Sequence, residues 1–130
     1  MREYRMGQAA SLLGVSPDTL RRWADSGRLK TKRTKGGHRV VVGTELAKLA
    51  TSLRATPEDG TSSLHSARNR FTGIVTSVTR DKVMAQVEVQ AGPHRVVSLI
   101  SREAVEELGL EPGALVAAVV KATNVTIELV

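Results

Sequence analysis

The chain has 130 residues, a formal net charge of +6 at neutral pH and no cysteine, which leaves room for one ordinary domain or two very small ones and excludes disulfide frameworks, thiolate chemistry and cysteine-built metal centres. The charge is uneven: Met1 to Arg54 carry twelve Lys/Arg against four Asp/Glu, residues 55–65 add two acids, and residues 66–130 hold seven of each sign. All the excess positive charge therefore lies in the first part, as expected of a polyanion-binding module joined to a segment with a different task.

No apolar run approaches the length of a membrane span, and Met-Arg-Glu-Tyr-Arg at the start lacks the apolar stretch of a signal peptide, so the sequence reads as a soluble cytoplasmic protein without a membrane partner. Tyr4, Trp23 and Phe71 are its only aromatics, too few for a platform that stacks single-stranded bases. Ala55 to His65 combines Pro, Gly, acids and hydroxyls and reads as a linker between residues 1–54 and 66–130. Each flanking piece is near the size at which a lone core is marginal, which favours oligomerisation.

In the first piece, Met6, Ala9, Ala10 and Leu13 repeat at helical spacing up to a stop at Gly14. Ser16 then reads as an N-cap, Pro17 as the first helical residue and Asp18 as a favourable charge at the positive helix end, starting a second helix that runs to Ser26. Leu20, Trp23 and Ala24 share its apolar face; Asp18, Arg21, Arg22 and Asp25 lie opposite. Arg28 to Arg39 is strongly basic, and Gly36-Gly37 can turn it into a hairpin whose second strand continues through Val40, Val41 and Val42. Thr44 reads as the cap of a third helix, with Leu46, Leu49, Ala50 and Leu53 on its core face. The expectation is a winged helix-turn-helix.

Taken together, Gly14-Val-Ser-Pro-Asp-Thr-Leu-Arg-Arg-Trp-Ala24, Gly27-Arg-Leu and Arg33-Thr-Lys-Gly-Gly-His-Arg39 resemble the DNA-binding domain of the MerR-like and excisionase-like regulators over about residues 3–52. The resemblance implies that the helix from Pro17 enters the major groove of double-stranded DNA and the wing reaches the neighbouring backbone or minor groove. Ser16, Asp18, Thr19, Arg21 and Arg22 on the helix, with Lys32, Arg33, Lys35, His38 and Arg39 on the wing, are then the candidate contacts. The arginines independently have the reach for guanine edges or phosphates, and the wing cations suit phosphates. Trp23 is read as core, and His38 has no second ligand nearby at zinc-like spacing.

From Phe71 the pattern changes to period two. Strands are expected over Phe71 to Val78, around Val83 to Val89, over Arg95 to Ile100, from Ala114 to Lys121 and from Val125 to Leu129, with a helix from Ser101 to Leu108 stopped at Gly109. Five short strands with a helix between the third and fourth are the order of an OB-like β-barrel, so the whole chain is expected to be α+β. Ser66-Ala-Arg-Asn-Arg70, Ser101 and Lys121-Ala-Thr-Asn124 supply hydroxyls, cations and amides without an acid among them, a set suited to a tetrahedral oxyanion. There is no carboxylate pair, Ser-His-acid set or phosphate-cradling glycine loop to suggest an enzyme.

Ser66-Ala-Arg-Asn69, Phe71-Thr-Gly73, Ile100-Ser101, Leu108-Gly-Leu110, Pro112-Gly113 and Val120-Lys-Ala-Thr123 resemble the Mop domain of molbindins and molybdate-responsive regulators, within the broader TOBE group. The resemblance implies molybdate or tungstate as the ligand, bound as an oxyanion with no metal cation ligated directly. It places the anion at a subunit interface, with Ser66, Arg68, Ser101, Lys121 and the Ala122 amide as donors and Asn69 as a motif residue; Ser101 reads equally as a helix cap. It also implies a homodimer at least, since relatives with one such domain associate up to hexamers. The resulting expectation is an oxyanion-responsive DNA-binding transcriptional regulator. Two alternatives remain: a molybdate storage protein, or an excisionase-like architectural factor whose barrel only oligomerises.

Overall fold

The computed structural model describes residues 2–53 and 69–130; the expected linker at 55–65 lies outside them. The chain is α+β and divides into two compact units, Met1–Thr56 and Pro57–Val130.

The first unit comprises β1 (Glu3–Arg5), α1 (Met6–Leu13), α2 (Pro17–Asp25), β2 (Lys32–Arg33), β3 (Arg39–Val42) and α3 (Gly43–Ser52). Gly14, at φ 71°, ends α1 in the left-handed region that glycine adopts without a Cβ penalty. Two residues later the Ser16 Oγ accepts from the Thr19 amide at 3.1 Å and starts α2, with Pro17 at its first position. Leu20 is fully buried and joins Ala9, Ala10, Leu29, Val41, Leu46 and Leu49 in the core; Trp23 packs half-buried against them. Asp18, Arg21, Arg22 and Asp25 are exposed, so one face of α2 is committed to packing and the other is available.

Four details differ from the sequence expectation. β1 is an additional strand, antiparallel to β3 with Tyr4 opposite Val41, giving the sheet order β1-β3-β2. Second, α3 begins at Gly43 with no side-chain cap; the Gly43 amide donates to the Arg2 carbonyl at 2.8 Å, which satisfies it without Thr44. Third, Ala50 is exposed, while Leu46 and Leu49 are buried. The hairpin also turns through five residues, Thr34 to His38, rather than a tight Gly36-Gly37 pair: Thr34 N donates to the His38 carbonyl at 2.8 Å, and Gly37 takes φ 81°.

The second unit comprises β4 (Asn69–Arg80), β5 (Met84–Ala91), β6 (His94–Ser101), α4 (Arg102–Leu108) and β7 (Leu115–Val120), followed by a 3-10 turn at Ala122–Asn124. The strands form one antiparallel sheet in the order β6-β5-β4-β7. β4 serves two partners: Asn69 to Ile74 pair with β7, and Ile74 to Arg80 pair with β5, with a register shift between Val75 and Ser77. Such a bulge bends and twists the strand, letting one strand change neighbours and the sheet curl. Val75, Ala85, Val87, Val89 and Val105 fill the core. Val105 comes from α4, whose stop at Gly109 (φ 64°) is completed by a bond from the Leu110 amide to the Val105 carbonyl at 3.0 Å.

The fifth strand expected over Val125 to Leu129 does not form in the single chain. Those residues carry no ladder, and Ile127 and Leu129 are 88% and 99% exposed. β6 and β7 are consequently the two edges of a four-stranded sheet, and an aliphatic cleft of about 520 Å³ lined by Val87, Val89, Val96, Ile100, Leu110 and Val116 stays open between them. The cause is physical: alternation predisposes a segment to pair but cannot supply the edge it pairs with. Val83, expected at the start of the buried stripe, lies instead in the exposed turn before β5.

Gly73 sits where β4 leaves β7 for β5. A Cβ there would collide with the Gln90 carbonyl oxygen and approach the Val89 side chain to 2.9 Å, and a main-chain carbonyl held in a ladder cannot swing aside. Gly73→Ala should therefore destabilise the second unit by about 1–3 kcal/mol. Gly7→Ala, in helix α1 with nothing within 4 Å, should stabilise the first unit by about 0.4–1 kcal/mol. Urea melts of the two variants against wild type check both signs.

The β4–β5 turn carries a pH-dependent contact. The Asp81 carboxylate accepts from the Met84 and Val83 amides at 2.7 and 2.8 Å, while Arg102 of α4 donates to the Asp81 carbonyl at 3.2 Å. These amides, Met84 first, and the nearby Arg102 charge hold the Asp81 pKa below the usual carboxylate value. A folded value below the unfolded one gives stabilisation that is complete above the ordinary carboxylate range and is lost as pH falls through the folded value. The thermal midpoint of the second unit should drop as pH falls below about 4, and should drop less in Asp81→Asn. Glu88, held low by Arg95, leaves a residual slope in the variant.

Candidate functional site

Two polar surfaces stand out, one on each unit. On the first, α2 and the β2–β3 hairpin present the residues that the sequence singles out. Ser16 and Thr19 share a hydroxyl bond at 2.8 Å, and Arg22 reaches the Thr19 hydroxyl at 3.4 Å. Arg21 pairs with Asp18 at 3.0 Å, and Lys32 pairs with Glu3. Arg33 donates to the Gly37 carbonyl at 3.0 Å, bracing the hairpin loop, while Lys35 and His38 stand exposed on that loop. Exposed ion pairs of this kind are worth about 0–1 kcal/mol, so Arg21 and Lys32 can leave their acids for a stronger anion at little cost.

Arg39, also expected as a phosphate contact, is held differently from the cations around it. Its Nε donates to the Thr31 hydroxyl at 2.9 Å and its Nη1 to Asp25 at 3.1 Å, and its side chain is only 25% exposed. It ties the hairpin to the end of α2. Sequence reasoning also passed over Arg28 and Lys30. Both are exposed at the base of the hairpin, and the Arg28 guanidinium lies 4.7 Å from the Trp23 ring centroid, a cation–π contact that holds it beside α2. The basic run itself was the signal for them.

On the second unit, Ser66 and Arg68 lie outside the described residues. Asn69 opens β4 directly opposite Val120, and its Nδ2 donates to the Val120 carbonyl at 3.3 Å. That contact sets it beside Lys121 and Ala122, which follow β7 and are exposed at the 3-10 turn. Ser101 is elsewhere. It ends β6 opposite Met84, at the Arg80 end of β4, so β7 with Asn69 and β6 with Ser101 occupy opposite edges of the sheet and opposite ends of β4. The fold thus brings Asn69, Lys121 and Ala122 together and leaves Ser101 apart.

Ser101 caps α4, its Oγ accepting from the Ala104 amide at 3.0 Å. A hydroxyl accepts through its lone pairs and donates through its proton, so capping leaves the proton available to an anion; the two readings of Ser101 are compatible. Among the described residues no group of three or more His, Cys, Asp or Glu could hold a metal cation, and no helix is long and apolar enough to cross a membrane.

Comparison with known proteins divides the chain at the same place. The family model described as "MerR family regulatory protein" matches residues 5–41, and the model described as "TOBE domain" matches residues 65–127. Molybdenum-pterin-binding protein 2 of Clostridium pasteurianum is 44% identical over 63 residues, which make up 48% of this chain and 93% of that protein. A molybdate-binding protein from Sporomusa ovata is 31% identical, with a TM-score of 0.49 over 50% of this chain and 97% of that one. The cytoplasmic molybdate-binding protein ModG, in a form with molybdate bound, is 42% identical over 45% of this chain and 42% of its own, with a TM-score of 0.44. The chain therefore belongs to the family of the molybdenum-pterin-binding (Mop) proteins, a membership carried by its TOBE-domain half.

Proposed function

We propose that the protein is a cytoplasmic molybdate-binding, DNA-binding transcriptional regulator rather than an enzyme. The observation that carries the reading is the joining of a MerR-like region with a basic, exposed α2 and hairpin to a TOBE unit. In the Clostridium relative the matched residues make up nearly the whole protein, so a first unit of this kind has no room there. A basic DNA-binding module is surplus to storage, which favours regulation over buffering.

In this reading α2 and the hairpin act as a winged helix-turn-helix on duplex DNA. Arg21 and Arg22, supported by Ser16, Asp18 and Thr19, face the major groove, while Lys32, Arg33, Lys35 and His38 meet phosphates. The second unit binds molybdate, or tungstate, between copies of the chain. Asn69, Lys121 and the Ala122 amide, with Ser66 and Arg68, form one half of the oxyanion site and Ser101 of another copy forms the other. The separation of Ser101 from Asn69 and Lys121 within one chain supports a shared site.

The same pairing completes the barrel. Val125, Ile127 and Leu129 alternate with Thr126 and Glu128, the pattern of a strand with one apolar face. Laid along an open edge of a second copy, that segment satisfies backbone groups and fills the aliphatic cleft, giving five strands and a homodimer, with larger assemblies such as hexamers built from dimers. An anion that bridges copies changes which first units are held as a pair and hence the half-site spacing they fit.

Calorimetry with molybdate, tungstate and sulfate on the intact protein tests the ligand. Molybdate should bind, and Arg68→Ala or Lys121→Ala should each weaken it at least tenfold, the loss of one charge-assisted contact; unchanged affinity in both sinks the site. Gel shifts on promoter DNA across a salt series test the other half, with log affinity falling by about 0.9 per phosphate contact for each tenfold rise in salt. Molybdate binding without any DNA shift points instead to storage, and a DNA shift without anion binding to an architectural factor.

A further inference from the structure

The structure leaves one acid on the candidate DNA-binding face without an obvious place there. Asp25 ends α2, where the helix dipole is negative and disfavours a carboxylate, and its side chain is 70% exposed on the polar face of that helix. Near a duplex it would also repel phosphate. Its partner accounts for it: Arg39, at the start of β3, spends one guanidinium bond on Asp25 and another on Thr31, in the segment that leads into β2.

The geometry of the hairpin makes that bond consequential. β2 is two residues long, and its ladder to β3 consists of Lys32 opposite Val40 and Arg33 opposite Arg39. Val40 and Val41 anchor β3 in the core, and Leu29 anchors the approach to β2, but Thr34 to His38 project beyond any of them. The Asp25–Arg39–Thr31 contacts are side-chain ties from the end of α2 to both arms of the hairpin at its base. We infer that Asp25 and Arg39 are positioning residues that fix the hairpin relative to α2, so that the helix and the loop reach one duplex together. The inference rests on the DNA-binding reading above and adds to it that an acid on the binding face strengthens binding.

Electrostatics alone and the positioning role predict opposite signs for one substitution. Asp25→Ala removes a negative charge from a DNA-facing surface, which by itself tightens binding; loss of the tie loosens it. The test measures anisotropy of the intact protein on one labelled duplex, selected by the wild-type chain from a randomised library, across a salt series. Asp25→Ala and Arg39→Ala should each weaken binding roughly fivefold, with the salt slope of wild type retained, and the double variant should be no weaker than either single one. The exchange Asp25→Arg with Arg39→Asp should recover part of the loss. Lys35→Ala, by contrast, should lower the slope by about one. Circular dichroism melts identify a variant that fails to fold, in which case Thr31→Val, which removes the other acceptor of Arg39, gives the same weakening at unchanged slope. Equal or tighter binding by folded Asp25→Ala, or a slope lowered by about one in Arg39→Ala, overturns the inference. A wild-type chain that selects no duplex overturns the DNA reading itself, and the inference with it.

Discussion

The open edges of the second unit's sheet are the constraint around which the protein is arranged. Backbone N–H and C=O groups need partners when water is excluded, and a sheet with aliphatic residues lining the gap between its edges excludes water as soon as anything fills that gap. β6 and β7 meet no strand on their outer sides, and the cleft between them is aliphatic. The chain carries a segment of the right pattern, Val125 to Leu129, but leaves it exposed. A core of five buried residues in a unit of this size is marginal by itself. In the proposed assembly, stability, association and ligand binding would be linked, since the contacts that close the barrel would also bring Ser101 of one copy toward Lys121 of another.

The first unit works under a different constraint. Its core is also small, and the polar face of α2 and the hairpin contribute little to it. Arg21, Lys32 and Arg33 are held there by exposed acids or a carbonyl, weakly enough to exchange them for a stronger anion. Arg39 is the exception, half-buried and twice bonded, and is better suited to shaping the surface than to being part of it. A total charge of +6 conceals this division, since the excess of basic residues lies within residues 1–54, while residues 66–130 are neutral overall and still place Asn69, Lys121 and Ala122 together.

What was legible in the sequence depended on how local its physics is. Helix stops at Gly14 and Gly109 and caps at Ser16 and Ser101 are set within four residues, and they stand where the pattern put them. β1 was missed because Glu3-Tyr4-Arg5 is too short to show a period. The signal for it lay in β3: Val40, Val41 and Val42 in succession fit a central strand flanked on both sides. The Val125–Leu129 alternation was legible, but the partner it needs was not, because pairing is a property of two segments. Likewise the residues proposed for the oxyanion site could be named one by one, whereas the placement of Asn69 and Lys121 at one edge of the sheet and Ser101 at the other follows only from topology. The Arg39 tie depends on a contact across fourteen residues, which no local pattern encodes.

The central claim, that one chain holds two incompatible halves of the oxyanion site and a second chain completes it, has a direct test by subunit complementation. Ser101→Ala and Lys121→Ala proteins, each deficient in molybdate binding, are mixed by joint refolding, and binding is titrated calorimetrically. A site shared between chains predicts recovery of high-affinity sites in the mixture, because each mixed dimer contains one site with both Ser101 and Lys121 intact. A mixture that binds no better than its two components would contradict the account.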